Sequence, residues 1–360
     1  MEWDWGMPWY RPVRVNHCVS GAEFGWRSGT GKWPEYYPDS LPATANVGIG
    51  SPTGVGNGIG AKFPAKYQKA IYILDWTYGR ILAVHPTPKG SSYSATVENF
   101  VVPLGLVKKD APKKPLNVTD IVVGDDGAMY FTIGGRNTQG ALYRVSYVGD
   151  ESTAPVEQKN VEGAEARALR HKLEAFHGKK DPKAVETAWP HLGSDDRFLR
   201  FAARIAIESQ PVAEWRAKAI AETNPEALLN ALVALARCGE PSDEPAILGA
   251  LQRIPLDKLT DDQKLEKLRV VQLTFARLGR PSAADAKLAI SKLDPKFPSA
   301  DERFNREVFQ ILVYLNAPGI VAKGLKAMAD AKTQPDQFHY LFHLRNAPIG
   351  FWTLDQRKEY

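Results

Sequence analysis

The chain has 360 residues, 44% hydrophobic and 24% charged, with 46 basic and 41 acidic side chains and a formal net charge of +5. That is length and apolar content for two domains with real cores, and too small a positive excess to argue for a nucleic-acid partner. Two cysteines, Cys18 and Cys238, argue against a disulfide framework or a cysteine metal site, and without a CxxCH motif the chain cannot attach a c-type haem by the usual thioether pair.

The N-terminus, MEWDWGMPWY, has no basic region followed by an apolar run, so no signal peptide is visible. No apolar stretch is long enough to span a bilayer. RPVRVNHCVSGAEFGWR then reads as part of a β unit, with His17 on a strand. From Asn46 to Pro64, in NVGIGSPTGVGNGIGAKFP, glycine recurs almost every second residue and Lys62 follows. A phosphate loop needs a strand before it and a helix N-terminus after it, so that free amides face the anion. Here Ala61 precedes the lysine, and Phe63-Pro64 stands where Ser or Thr is needed. The glycines are better read as letting the backbone turn and approach a neighbour closely.

Strands follow. KAIYILDW (69–76) and RILAVHP (80–86) flank a TYG turn. The lysines of KKDAPKK (108–114) are broken by Asp and Pro and read as a solvated loop. VTDIVVGDDGAMYFTIGG has two β-rich runs around Asp126-Gly127, a hairpin dipeptide rather than a calcium loop. GALYRVSYV (140–148) is a further strand. The strings AIYILDWTYGRILAVHP and AMYFTIGGRNTQGALYRVSYV share one plan, which suggests repeated propeller blades.

Composition changes near Val148. Residues 149–163 are polar and read as a linker. Beyond them Ala, Leu, Glu, Lys and Arg recur at helical spacing. Ser194, followed by Asp195 and Asp196, reads as the cap of a helix bearing Phe198, Phe201, Ala202 and Ile205. LARCGEP and FARLGRP share an ending in which glycine should adopt the left-handed helix end and proline stop the helix. A repeat of roughly 40 residues suggests a HEAT-like solenoid. The expected fold is α+β and multidomain: a partial β-propeller of roughly two to three antiparallel blades over 1–148, a linker over 149–163, and a HEAT-like α-solenoid over 164–360.

The strings MPWYRPVRVNHCVSGAEFGWRSGTGKWPEYYPDSLP, GSPTGV, GAKFPAKYQKAIYILDWTYGRILAVHPTP and TDIVVGDDGAMYFTIGGRNTQGALYRV resemble the last blades of bacterial membrane-bound dehydrogenase-type haem-binding proteins. The propeller of that family is similar to glucose and sorbosone dehydrogenases that use pyrroloquinoline quinone (PQQ). LGSDDRFLRFAARIAIESQPVAEW resembles the helical segment that follows it. The resemblance implies an exported, periplasmic or membrane-associated oxidoreductase that oxidises a sugar or alcohol. It also implies haem c in a cytochrome c domain beyond the helices. The chain stops at TLDQRKEY and is therefore expected to be a fragment without that domain. The alternative is a non-catalytic carbohydrate- or protein-binding propeller with a scaffold arm.

Function on a propeller sits in the loops at one end. A tricarboxylate quinone needs guanidinium forks and an aromatic face, so Arg27, Trp76, Arg80 and Arg136 are the cofactor candidates. Ser51, Thr53, Asp75, Asp120, Thr138 and Gln139 are the polar candidates for substrate. Three arginines converging there would need Asp75 and Asp120, or a bound anion, to offset them. His17 and His85 are the histidines of the β half, and neither matches the catalytic histidine motif of the quinone dehydrogenases. His339 and His343 share a helix face, but without the glutamate of an HExxH motif they read as packed histidines rather than a metal site. Partners are expected to be a sugar or other small molecule on the blades and proteins on the solenoid, with no nucleic acid.

Overall fold

The computed structural model describes residues 12–26, 33–112, 114 and 116–360. The chain is α+β, with three small antiparallel sheets and fourteen α-helices among the described residues. It divides into two compact units. The first takes Met1–Glu35, Asp39–His177 and Asp196–Ala202; the second takes Tyr36–Pro38, Gly178–Asp195 and Ala203–Tyr360.

In the first unit, β1 (Pro12–Val15) pairs with β2 (Ala45–Ile49). The expected strand through His17 thus ends at Val15. A second sheet runs in order β3 (Pro52–Asn57), β4 (Ile71–Asp75), β5 (Arg80–Lys89) and β6 (Ser92–Val101). A third runs β7 (Val118–Val123), β8 (Met129–Gly135) and β9 (Thr138–Val145). Among the described residues these sheets are separate and open, closing into neither a barrel nor a ring. Both faces of the second sheet are covered, which is why β4 reads as a continuous apolar run rather than an alternation. Tyr72, Leu74, Ile81 and Ala83 pack with Val118, Met129 and Phe131 of the third sheet. Ile73, Leu82 and Val84 pack with Val15 and Ala45.

The glycine run has a steric cause. β3 lies against β7, and a methyl group at Gly54 would stand 2.9 Å from the Thr119 carbonyl oxygen. At Gly56 it would stand 2.7 Å from Ile121 Cγ2, and at Gly58 only 1.9 Å from the Tyr67 oxygen. The segment 149–163 is held by Gln68, whose amide donates to the Ala154 carbonyl at 2.9 Å and accepts from the Val156 amide at 3.2 Å.

In the second unit the helices Pro225–Cys238, Asp261–Arg277, Glu302–Tyr314 and Gln334–Leu344 pack in succession, each against the next. Asn224, Thr260, Asp301 and Thr333 cap them through their side chains, satisfying amides that have no partner within the helix. Two sequence expectations about helix ends need correction. Asp196, not Ser194, caps the helix Arg197–Glu208, accepting from the Phe198 and Leu199 amides at 2.9 and 3.2 Å. Gly239 has φ −77°, so its position does not require a left-handed residue; what excludes a side chain there is the Leu235 oxygen, 2.6 Å from where Cβ would lie. Gly279, with φ +131°, does occupy the positive region.

Three residues from the β-rich part of the sequence belong to this helical unit. The phenols of Tyr36 and Tyr37 donate to the Glu307 carboxylate at 2.6 and 2.9 Å, and Gln272 donates to it at 2.5 Å. The Arg269 guanidinium lies 3.9 Å from the centre of the Tyr37 ring.

Candidate functional site

The densest group of predicted site residues lies where β3, β4 and β5 meet the end of the third sheet. Register places Asp75 opposite both Pro52 and Arg80, and Gly79 with φ +64° closes the turn between β4 and β5. Asp75 is 6% exposed. It accepts from Arg80 Nε at 3.0 Å, from the Ser51 amide at 2.9 Å and from the Thr77 amide at 3.2 Å. Gly50 sits so close that a Cβ would stand 2.9 Å from Asp75 Oδ2. A buried carboxylate with a guanidinium and two amides has its lone pairs satisfied and its charge neutralised.

Trp76 donates its indole N–H to the Gly134 carbonyl at 2.8 Å, and its own carbonyl accepts from Asn117 at 3.2 Å. The Arg136 guanidinium lies 5.1 Å from the Trp76 ring centre. Arg136 and Asn137 form the two-residue turn between β8 and β9, with φ of 47° and 62°. Positive φ at both centres is the hairpin geometry that matches strand twist. Thr138 donates to the Gly135 carbonyl at 2.5 Å, and Thr53 donates to the Val118 carbonyl at 2.8 Å. Asp120 is exposed and accepts from the adjacent Ile121 amide; Gln139 is exposed on β9. Arg27 lies outside the described residues.

The structure therefore brings Ser51, Asp75, Trp76, Arg80 and Arg136 together, and it brings them together largely to bind one another. Of the described cofactor candidates, Arg80 and Trp76 already have partners within the fold. Arg80 is neutralised by Asp75, and the Trp76 ring is already faced by Arg136. Arg136 is the described arginine of this group without a carboxylate partner among the described residues.

A second polar cluster was not singled out by sequence reasoning. At the β5–β6 turn, Ser91 donates its amide and hydroxyl to Asp196 at 2.5 and 3.0 Å, and its carbonyl accepts from Arg170 Nε at 3.0 Å. Arg170 also pairs with Glu174. Ser92 Oγ lies 2.9 Å from His17 Nδ1, a hydroxyl–imidazole pair of the kind used by nucleophilic hydrolases. Ser92 is only 1% exposed, which leaves no approach for a substrate. His17 stacks on Phe198 and meets Tyr93 edge-on, and burial, then the Arg170 charge, holds it below the usual imidazole range. The sequence signals for this cluster were His17, read as a strand residue, and the Asp195-Asp196 pair, read as part of a helix cap.

His339 and His343 have ring centres 4.5 Å apart, and His339 Nε2 donates to the Arg306 carbonyl at 3.1 Å. Burial, with His343 next, brings His339 down to about 3; burial, with Arg345 next, brings His343 down to about 4. Among the described residues no three His, Cys, Asp or Glu side chains converge as a metal site, and no helix is long and apolar enough to cross a membrane. Cys18 and Cys238 are both free thiols, and burial pushes Cys238 up to about 11.

No family model matches the chain, and no curated protein matches it. Among solved structures it is similar to a Thermus thermophilus protein described as an oxidoreductase (glucose dehydrogenase), at 18% identity and a TM-score of 0.25. That similarity covers 36% of this chain and 35% of the other, so the chain spans about a third of that protein's length.

Proposed function

We propose that the chain is a binding and scaffolding part of a dehydrogenase-like protein. In this reading the β unit supplies roughly two to three propeller blades, and the helices form a HEAT-like arm whose surface is offered to protein partners. The observation that carries the non-catalytic role is Asp75: its buried carboxylate is committed to Arg80 and to the Ser51 and Thr77 amides. Residue types that would otherwise seat a charged ligand hold the β4–β5 turn instead. The glycine-mediated approach of β3 to β7 supports the blade reading, and the succession of helices beginning at residues 225, 261, 302 and 334 supports the repeat reading. Haem, quinone and the oxidation of a sugar or alcohol, which the resemblance implies for the family, are assigned to residues other than the described ones.

A second reading, a ligand site for a carboxylated sugar or a quinone, is favoured by one feature: Arg136 stands exposed over an indole ring. The full chain can be titrated with PQQ while tryptophan fluorescence is followed, and assayed for dye reduction with glucose or sorbosone as donor. The scaffolding reading expects neither saturable quenching nor donor-dependent reduction. Saturable quenching that Arg136→Ala removes, or turnover of either donor, would replace it with the second reading.

A further inference from the structure

A cleft on the first unit is lined by Lys66, Lys69, His85, Pro86, Thr96 and Glu98, none of them a residue of the Asp75 turn, with a volume of about 440 Å³. Sites for small molecules typically fall between about 300 and 1,000 Å³. Its walls follow from register. His85 on β5 pairs directly with Thr96 on β6, so the two side chains leave the sheet on one face, and Glu98, two residues on, joins them. The short helix Ala65–Gln68 supplies Lys66, and Lys69 follows at its C-cap.

Glu98 organises the floor. It lies 2.9 Å from His85 Nε2 and 3.2 Å from Lys66 Nζ. Burial pushes this carboxyl up, but the hydrogen bonds from His85 and Lys66 outweigh that and leave it below its ordinary range. An ionised carboxylate only accepts, so His85 Nε2 carries the proton between them. The His85 ring is backed by Tyr67, 6.0 Å between centres, and the Lys66 ammonium lies 4.5 Å from the Tyr67 ring centre. Glu98 thus fixes both His85 and Lys66. Lys69 is exposed and has no carboxylate partner among the described residues. The fixed charges are two ammonium groups against one carboxylate, a net positive concavity with a hydroxyl and an imidazole at its edge.

We infer that this cleft binds a small anion, a phosphate or carboxylate group on a sugar-sized molecule, with Lys69 as its principal ionic contact and Lys66, Thr96 and His85 around it. Like charges held near one another favour a counter-ion between them. The inference does not depend on the role assigned to the Asp75 turn.

The test uses the full chain and two probes, inorganic phosphate and acetate, each at ionic strength matched with sodium chloride. The imidazole resonances of His85, assigned with His85→Gln, report binding. A saturating shift with either probe, weakened at least about ten-fold by Lys69→Ala while the thermal melt is unchanged, supports the site. Which probe saturates at lower concentration identifies the phosphate or the carboxylate class. A shift that sodium chloride reproduces, one that never saturates, or one that Lys69→Ala leaves intact would overturn it. Glu98→Gln provides a second readout: it removes the competing charge, and tighter binding is expected.

Discussion

Asp75 in the first unit and Glu307 in the second are both buried carboxylates, 6% and 2% exposed, but they are satisfied in opposite ways. Asp75 finds a guanidinium five residues away and amides within its own turn and at Ser51, just before β3. Glu307 is met by two phenols some 270 residues earlier in the chain, and by the amide of Gln272. At Asp75 the β unit satisfies a buried charge with near neighbours; at Glu307 the helical unit does so with a borrowed segment. Helical repeats are usually sustained by contacts between sequence neighbours. Here a buried carboxylate of the helical unit is completed by Tyr36 and Tyr37, and a helical chain beginning at residue 164 would lack both.

The largest effect expected is therefore from the double substitution Tyr36→Phe and Tyr37→Phe. It leaves the packing and removes two donors from a buried carboxylate, which should destabilise the helical unit by about 3–5 kcal/mol. Asp75→Asn keeps an acceptor in place and should cost the β unit only about 1–2 kcal/mol. Denaturant unfolding of both variants, followed by circular dichroism, gives the ratio; equal losses would erase the distinction. Alkali offers a second view. Burial, and then the Glu307 charge, raises both tyrosines above their ordinary range. A raised folded-state value means the contribution is complete below about pH 10 and lost as pH climbs beyond it. Helical signal should fall above pH 10 in the natural chain and more gently in the double variant.

Glycine extends the comparison. At Gly58 an added methyl group meets the Tyr67 carbonyl oxygen at 1.9 Å and the Gln68 Cα at 3.0 Å, and backbone cannot step aside cheaply. Gly58→Ala should cost about 2–3 kcal/mol. Gly249, inside the helix Glu244–Gln252, has nothing within 4 Å of the same position. Gly249→Ala should stabilise by about 0.5–1 kcal/mol through helix propensity alone. Thermal melts of the two variants shifting in the same direction would show that close approach is not what distinguishes the β unit.

How much of this was legible in the sequence follows the same division. The β4 and β5 strands, the Asp126-Gly127 turn and the Asp75–Arg80 pairing are local, and residues a few positions apart announce them. β6 was missed because SYSATVENFV mixes apolar and polar residues without a clean period; its partner β5 supplies the order. The Ser91–Asp196 contact spans 105 residues and the Tyr37–Glu307 contact 270. No pattern within a window of sequence encodes contacts of that reach. Arg80 and Arg136 were both singled out from the sequence, but that Asp75 would neutralise the first and Trp76 lie under the second depended on side-chain direction, which composition does not contain.

Acid should separate the units by the pH at which each weakens. His339 and His343 titrate at about 3 and about 4 in the folded chain, against an ordinary value near 6.5. The unfolded chain binds their protons first, so their contribution is present above about pH 6.5 and is lost as pH falls toward 4 and then 3. In the β unit, Asp126 is held down to about 2, chiefly by its hydrogen bond with Arg144, so its contribution persists until pH drops below about 4. Asp126 is exposed, and solvent screening keeps that contribution small. Helical signal should therefore decline first on acidification, and His339→Gln with His343→Gln should move that decline to lower pH. Loss of both units together at one pH would count against independent acid responses.

The smallest effect expected is at Arg136, and it bears on function. With φ of 47° the residue sits where a side chain costs roughly 1 kcal/mol. Its stacking on Trp76 at 5.1 Å returns about 0.5–1 kcal/mol at an exposed site. Arg136→Gly removes the strain and the stacking together, so the two terms should nearly cancel, leaving stability within about 0.5 kcal/mol of the natural chain. Asn137, already at positive φ, keeps the turn type in place. A clear gain in stability would mean that the arginine is retained against the interests of the fold, as expected of a residue that meets a ligand. A clear loss would mean that the stack on Trp76 helps clamp the β8–β9 turn against the Asp75 turn. In that case the scaffolding role proposed for the β unit extends to Arg136 as well.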